Sequence, residues 1–369
     1  MSDEIQHSDQ QAGASHPRHT YSLYGHDEPQ AEFLTAYNSD RLHHAWMITG
    51  PKGIGKATLA WRIARFLLSQ PEKGGMFDAP APSSLDVSPE HPVSHRIDAL
   101  AEPGLFLARR PWDDKTKKLK QNITVDEIRK LKSFFTLSAA DGGWRVAIID
   151  AADEMNTAAA NALLKVLEEP PAKVLILLVS HQPSRLLPTI RSRCRTLRCA
   201  SLNPDNLSAA LAQSGFETQS EIQTVGILAD GSVGASIDLI SSEGANLYRS
   251  LVEMANQAPR MDRQVMQTMA DACVGKNAVD RYTMTLRLYA QFISRLAKFG
   301  ALQPADFQEA ANGEALVLSK LAPNIRAARK WANLLQESTA RTSHARAVNL
   351  DPSSVILDML LTFEETARA

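Results

Sequence analysis

The feature that most constrains this 369-residue chain is Gly50-Pro51-Lys52-Gly53-Ile54-Gly55-Lys56, set between the apolar run Ala45 to Ile48 and the stretch Leu59 to Leu68. Strand, glycine-rich turn and helix form the context in which G-x-x-x-x-G-K reads as a phosphate-cradling P-loop. Gly50, Gly53 and Gly55 let the backbone wrap an anion. The N-terminus of the following helix adds its positive dipole end, and Lys56 neutralises phosphate charge. The next position ordinarily carries a hydroxyl that ligates Mg²⁺; here it is Ala57. Thr58 has a hydroxyl, but one helical residue on it points roughly 100° away around the axis. Such a loop is suited to holding a nucleotide and poorly suited to using one.

The length implies two or three domains, and 44% apolar with 22% charged residues is the balance of a soluble chain with sizeable cores. A net charge of −1 argues against wholesale binding to nucleic acid, though not against a local basic face. Cys194, Cys199 and Cys273 cannot build a disulfide framework or a zinc quartet, which fits a reducing cytoplasm. The polar, acidic start at Met1 to His7 is not a signal peptide. Apolar runs such as Val174 to Val179 are too short to span a bilayer, so no membrane role is expected.

Residues 1–22 are polar, His-rich and aperiodic, and read as a disordered tail. His43 and His44 read as loop residues rather than ligands, because no carboxylate or cysteine cluster accompanies them. Residues 70–104, rich in Pro, Gly and Ser, read as a mobile insertion. Arg109 to Lys120 is a basic stretch with two readings, a solvated face or a contact for DNA or a partner. Thr124 to Glu127 is a capping box that starts a helix. Trp144 to Ile149 and Lys173 to Ser180 are buried strands separated by a helix over Thr157 to Glu168, and a short edge strand follows at Arg195 to Cys199. Alternating helices and near-continuous apolar strands predict an α/β parallel sheet. After Leu202 the strands stop. Residues 202–244 predict a small helical lid, and 245–369 a separate all-helical C-terminal domain.

Asp150 ends the strand Val146 to Ile149, where a P-loop protein places its Mg²⁺-organising carboxylate. The residue after it, Ala151, stands where a hydrolase places the acid that activates water. Asp153 and Glu154 come too late for that position. Downstream lie Asn161-Ala162-Leu163-Leu164-Lys165-Val166-Leu167-Glu168-Glu169-Pro170-Pro171 and Ser192-Arg193-Cys194. Together these segments closely resemble the clamp-loader branch of the AAA+ ATPases, strongly over residues 23–201 and by pattern only beyond.

The resemblance implies that Arg193 is an arginine finger acting in trans on a neighbour's nucleotide. The other reading of Arg193 is a member of a basic face with Arg185, Arg191, Arg195 and Arg198. Ser180 and His181 stand where relatives sense the γ-phosphate, and Gly234 where active relatives place a lid arginine. Relatives often carry a cysteine zinc module after the P-loop helix; residues 71–104 contain no cysteine, so no zinc is expected. The implied protein is a cytoplasmic, non-hydrolysing subunit of a DNA polymerase III clamp loader, holding ATP or ADP at most as a structural ligand. Its implied partners are the delta and gamma/tau subunits, the sliding clamp and primer-template DNA, and residues 245–369 would form its share of an oligomeric collar. The alternative is an active P-loop ATPase using Lys56, Thr58 and Asp150. Sequence-specific DNA binding finds no recognition-helix signature.

Overall fold

A computed structural model of the chain describes residues 7–71, 80–136, 143–216, 221–275 and 278–368. The chain separates into two compact units, residues 1–216 with 231–234, and residues 217–230 with 235–369.

The first unit opens with α1 (Asp27–Asn38), β1 (Ala45–Thr49), α2 (Lys56–Ser69) and α3 (Pro92–Asp98). It continues with β2 (Leu105–Arg109), the short strands β3 (Trp112–Asp113) and β4 (Lys118–Leu119), α4 (Val125–Thr136) and β5 (Arg145–Asp150). Then come α5 (Thr157–Glu168), β6 (Val174–Ser180), α6 (Pro188–Arg191), β7 (Arg195–Arg198) and α7 (Pro204–Gln213). The main sheet runs β2-β5-β6-β1-β7, and every pairing in it is parallel. The expected α/β architecture is therefore observed. Side chains alternate between faces, so Trp46, Ile48, Val146, Ile148, Leu175 and Leu177 share one core with α2. Met47, Ala147, Ile149, Ile176 and Leu178 share the other with α4 and α5. Burial on both faces is why these strands read as unbroken apolar runs.

Two expectations change. Within the lead-in, Asp9 and His16 are buried rather than free; ion pairing anchors this segment where no apolar periodicity exists to see. Residues 1–6 lie outside the described residues. In the 70–104 insertion, Leu85, Val93 and Ile97 are buried in the α2-side core and α3 forms, because a few well-placed apolar residues suffice without a periodic run. Residues 72–79 lie outside the described residues. Within the basic stretch 109–120, Arg109 ends β2 and β3 pairs with β4 in an antiparallel hairpin, which favours neither of its two readings. His43 and His44 are stacked, with ring centroids 4.4 Å apart, and His44 Nε2 donates to the Leu167 carbonyl at 3.0 Å.

The second unit is helical: α8 (Ile222–Ala229), α9 (Val233–Ser241), α10 (Gly244–Asn256), α11 (Arg263–Asp271), α12 (Val279–Leu302), α13 (Glu314–Leu321), α14 (Ile325–Ala347) and α15 (Pro352–Arg368). Val225, Leu228 and Leu239 bury into the same cluster as Tyr248, Phe292, Trp331 and Phe363, so the main parts of α8 and α9 group with the helices after them. The short α13 escaped the sequence reading. It buries Val317 and Leu318 in the core of the helical unit, and its first residue, Glu314, is fully buried as well. Glu314 accepts from Tyr248 OH at 2.6 Å, Arg295 Nε at 2.7 Å, Arg295 Nη2 at 2.9 Å and the Ala310 N–H at 2.7 Å. Truncating one partner of a buried charge pair leaves the other uncompensated. Glu314→Ala is expected to cost about 3–5 kcal/mol, read as a lowered urea midpoint for unfolding of the helical unit.

Candidate functional site

All strands of the main sheet are parallel, so their C-terminal ends meet at one edge, where ligands of such sheets bind. The loop after β1, Asp150 at the end of β5, Ser180 at the end of β6 and Arg109 at the end of β2 are assembled there. Gly50 (φ 143°), Gly53 (φ 78°) and Gly55 (φ 101°) all take backbone conformations that favour glycine. At Gly53 space is decisive as well. A Cβ there would sit 2.6 Å from Ser232 Oγ, because the start of α9 closes on the loop. Ser232 Oγ donates to the Lys52 carbonyl at 2.8 Å, and the Gly234 N–H donates to the Gly53 carbonyl at 2.9 Å. On the other flank His26 Nε2 donates to the Ile54 carbonyl at 2.7 Å.

Lys56, the first residue of α2, is buried and its Nζ donates to the Pro51 carbonyl. Burial lowers its pKa to about 8, against the opposing pull of Asp150. Asp150 is buried on the α2 side of the sheet, in step with Val146 and Ile148. Burial and then the neighbouring Asp9 charge push its carboxyl up, and Lys56 opposes them. Desolvation thus weakens the charged form of both groups. The sheet brings Gly50, Gly53, Gly55, Lys56 and Asp150 together.

Ala57 presents a methyl where a hydroxyl would ligate a metal, and Thr58 lies half-buried one residue further along α2. Ala151 is buried directly after Asp150. Neither later acid replaces it. Asp153 accepts the His181 N–H at 2.9 Å, and Glu154 pairs with Arg110 at 2.7 Å. Gly234 also has a steric account, since a Cβ on it would lie 3.0 Å from the Gly53 Cα. An arginine at this position would have to force α9 and the loop apart.

Two buried polar atoms beside the cradle, Ser180 Oγ and His181 Nδ1, have no hydrogen-bond partner among the described residues. Glycine cradle, helix N-terminus, Lys56 and these orphaned atoms suit a phosphate group. Among the described residues no group of three or more His, Cys, Asp or Glu side chains is placed to hold a metal ion. The residues fit a nucleotide held by its phosphates.

Arg193 lies elsewhere. It precedes β7, whose first residue pairs with Trp46 near the start of β1, so it occupies the N-terminal edge of the sheet. The length of β1, at about 3.3 Å per residue, separates it from the cradle. Its guanidinium is partly exposed, donates to the Thr189 carbonyl at 3.0 Å and pairs with Glu168 at 2.9 Å. The structure does not bring Arg193 to the chain's own phosphate loop.

Sequence reasoning missed the cover of Ser232 on the loop, and it missed Asp9, His16 and Arg109, a buried cluster beside Asp150. The His-rich composition of the lead-in was the one signal for the latter.

His181 yields a pH test. Burial and then the Lys56 charge lower its pKa to about 4 from 6.5. A depressed histidine contributes stability that is present above its unfolded pKa and lost as pH falls through the folded one. Wild type should therefore lose stability relative to His181→Gln as pH falls from 6.5 to about 4, read from parallel urea melts.

Residues 25–203 match the family described as DNA polymerase III, delta subunit. DNA polymerase III subunit delta′ of Pseudomonas aeruginosa is 37% identical over 183 residues, 48% of this chain and 51% of that protein. The Escherichia coli K12 delta′ subunit is 30% identical over 63% of this chain and 66% of its own length. The gamma/tau subunit of Mycobacterium tuberculosis H37Rv is 28% identical over 52% of this chain and 30% of that protein. The chain thus spans about half of the Pseudomonas relative. Through residues 25–203, the sheet with its phosphate loop, this chain belongs to the family of DNA polymerase III delta-type subunits, with delta′ proteins among its relatives.

Proposed function

We propose that this protein is a delta′-type subunit of a DNA polymerase III clamp loader, one that hydrolyses no nucleotide and lends Arg193 to the nucleotide of a neighbouring gamma/tau-type subunit. The observation that carries this reading is the division of the sheet's two edges. The cradle edge holds Lys56 and Asp150 but has alanine at positions 57 and 151, and Arg193 stands on the other edge, partly exposed. A guanidinium so displaced from its own P-loop is free to act on another molecule's phosphate once its pair with Glu168 opens. It supplies fixed positive charge as the γ-phosphate oxygens gain negative charge during transfer. The pair with Glu168 is surface-exposed and cheap to break.

On this reading a bound nucleotide supplies only phosphate charge for the cradle to grip. Lys56 and the backbone N–H groups at the start of α2 hold it, and no side chain here activates water. The expected lid, 202–244, is divided between the two units, and the helical unit, residues 217–230 with 235–369, acts as the collar through which delta and gamma/tau subunits assemble. The assembly places a sliding clamp on primer-template DNA in the cytoplasm. Among the described residues no helix is long and apolar enough to cross a membrane.

The test is a reconstituted loader. Arg193→Ala is expected to slow ATP turnover at the neighbouring site it faces by about 10³-fold or more, with clamp loading falling in parallel. Lys56→Ala should leave turnover by the complex unchanged. A loader carrying Arg193→Ala that hydrolyses ATP and loads clamps at the normal rate overturns the proposal. DNA-stimulated hydrolysis by the isolated chain, abolished by Lys56→Ala, overturns its non-hydrolysing part.

A further inference from the structure

Residues 7–20 contain a single short turn of helix, Pro17–His19, yet they are held at several points. The Asp9 side chain is fully buried; it meets His16 Nε2 at 3.0 Å and Arg109 Nη1 at 2.6 Å. Burial alone would raise the Asp9 carboxyl, but the His16 hydrogen bond and the Arg109 guanidinium outweigh it and hold it low. His16 is itself buried and stands edge-on to Trp61 of α2, with ring centroids 5.7 Å apart. Further on, Arg65 donates to the Arg18 carbonyl, Arg62 Nη1 to the Tyr21 carbonyl at 2.8 Å, and Tyr21 OH to Asp98 Oδ2 at 2.6 Å. The lead-in is therefore strapped along α2, the helix whose first turn builds the cradle.

Its position follows from the sheet. Arg109 pairs in register with Asp150, and alternation puts both on the α2 side at the C-terminal edge. Asp9, clamped to Arg109, lies next to Asp150, near enough for its charge to act on that carboxyl. Two residues later, Gln11 Oε1 lies 3.1 Å from where a Cβ on Gly234 would be, and Gly234 is the residue that closes on Gly53. Residues 9–11 therefore run from Asp150 to the lip of the phosphate loop.

We propose that this strap gates the cradle: Asp9, locked by His16 and Arg109, holds residues 9–11 across the mouth, and a nucleoside triphosphate enters only when the strap lifts. The proposal rests on reading the Gly50–Lys56 loop as a phosphate cradle, and goes beyond the Arg193 assignment. A buried carboxylate at the mouth repels an incoming phosphate. Lifting it frees His16 and Arg109, two groups that would then face the phosphate in its place. The exchange of one anion for another makes the closed and open states comparable in cost, so nucleotide can shift their populations.

The test uses the full chain, with ATP in the presence and absence of Mg²⁺ as the probe. A ligand that binds only an open minority state has its apparent affinity reduced by that minority fraction. Asp9→Asn, which keeps the shape and removes the charge, and a chain lacking residues 1–14 are each expected to bind ATP about 10- to 100-fold more tightly than wild type. Thermal melts of both variants check folding. In unmutated protein, amide exchange of residues 8–15 should speed up on adding millimolar ATP, a readout that stands even if a variant misfolds. Equal affinity in wild type and variants, absence of ATP binding to folded variants, or unchanged exchange with ATP added each overturns the gate. None of these results bears on loader turnover with Arg193→Ala, so the two readings fail separately.

Discussion

The parallel register of β2, β5, β6, β1 and β7 is the constraint on which the rest depends. Parallel pairing sends every strand's C-terminal residue to one edge, and the two-residue alternation decides which face each side chain meets. Asp150 falls on the α2 side because Val146 and Ile148 do, and Lys56 reaches the same corner because α2 covers that face. Arg193 is kept from that corner by the same geometry, since it comes before a strand rather than after one. A one-residue slip of β5 would carry Asp150 to the α5 face and dismantle the corner.

Both units fasten a segment with a buried carboxylate and an arginine. In the first, Asp9 fastens the lead-in to the end of β2 through Arg109; in the second, Glu314 fastens α13 to α12 through Arg295. Taking charges out of water is costly, and each site offsets that cost with close ionic hydrogen bonds from more than one partner.

The phosphate loop is held by hydrogen bonds on both flanks. Ser232 and Gly234 bond to its backbone on one side and His26 on the other. Glycine at 234 is what permits that approach. Without a side chain at 234, Ser232 and Gly234 come within hydrogen-bond reach of the Lys52 and Gly53 carbonyls.

The sequence by itself determined the α/β sheet, the P-loop, the strand-end Asp150 and the family motifs around Lys165 and Arg193. These are local in the chain, and their signals are periodicity, glycine spacing and contiguous motif residues. It also exposed the missing hydroxyl at Ala57 and the missing acid at Ala151. Only the tertiary structure decided the rest. Asp9 and Arg109 are 100 residues apart and Ser232 and Lys52 are 180 apart, with no pattern in either segment to link them. The polar lead-in read as disordered because its stabilisation comes from charge pairing across the fold, which leaves no periodic trace. That Arg193 and Lys56 occupy opposite edges of one sheet likewise follows from strand order, a property that appears only once β7 has paired with β1.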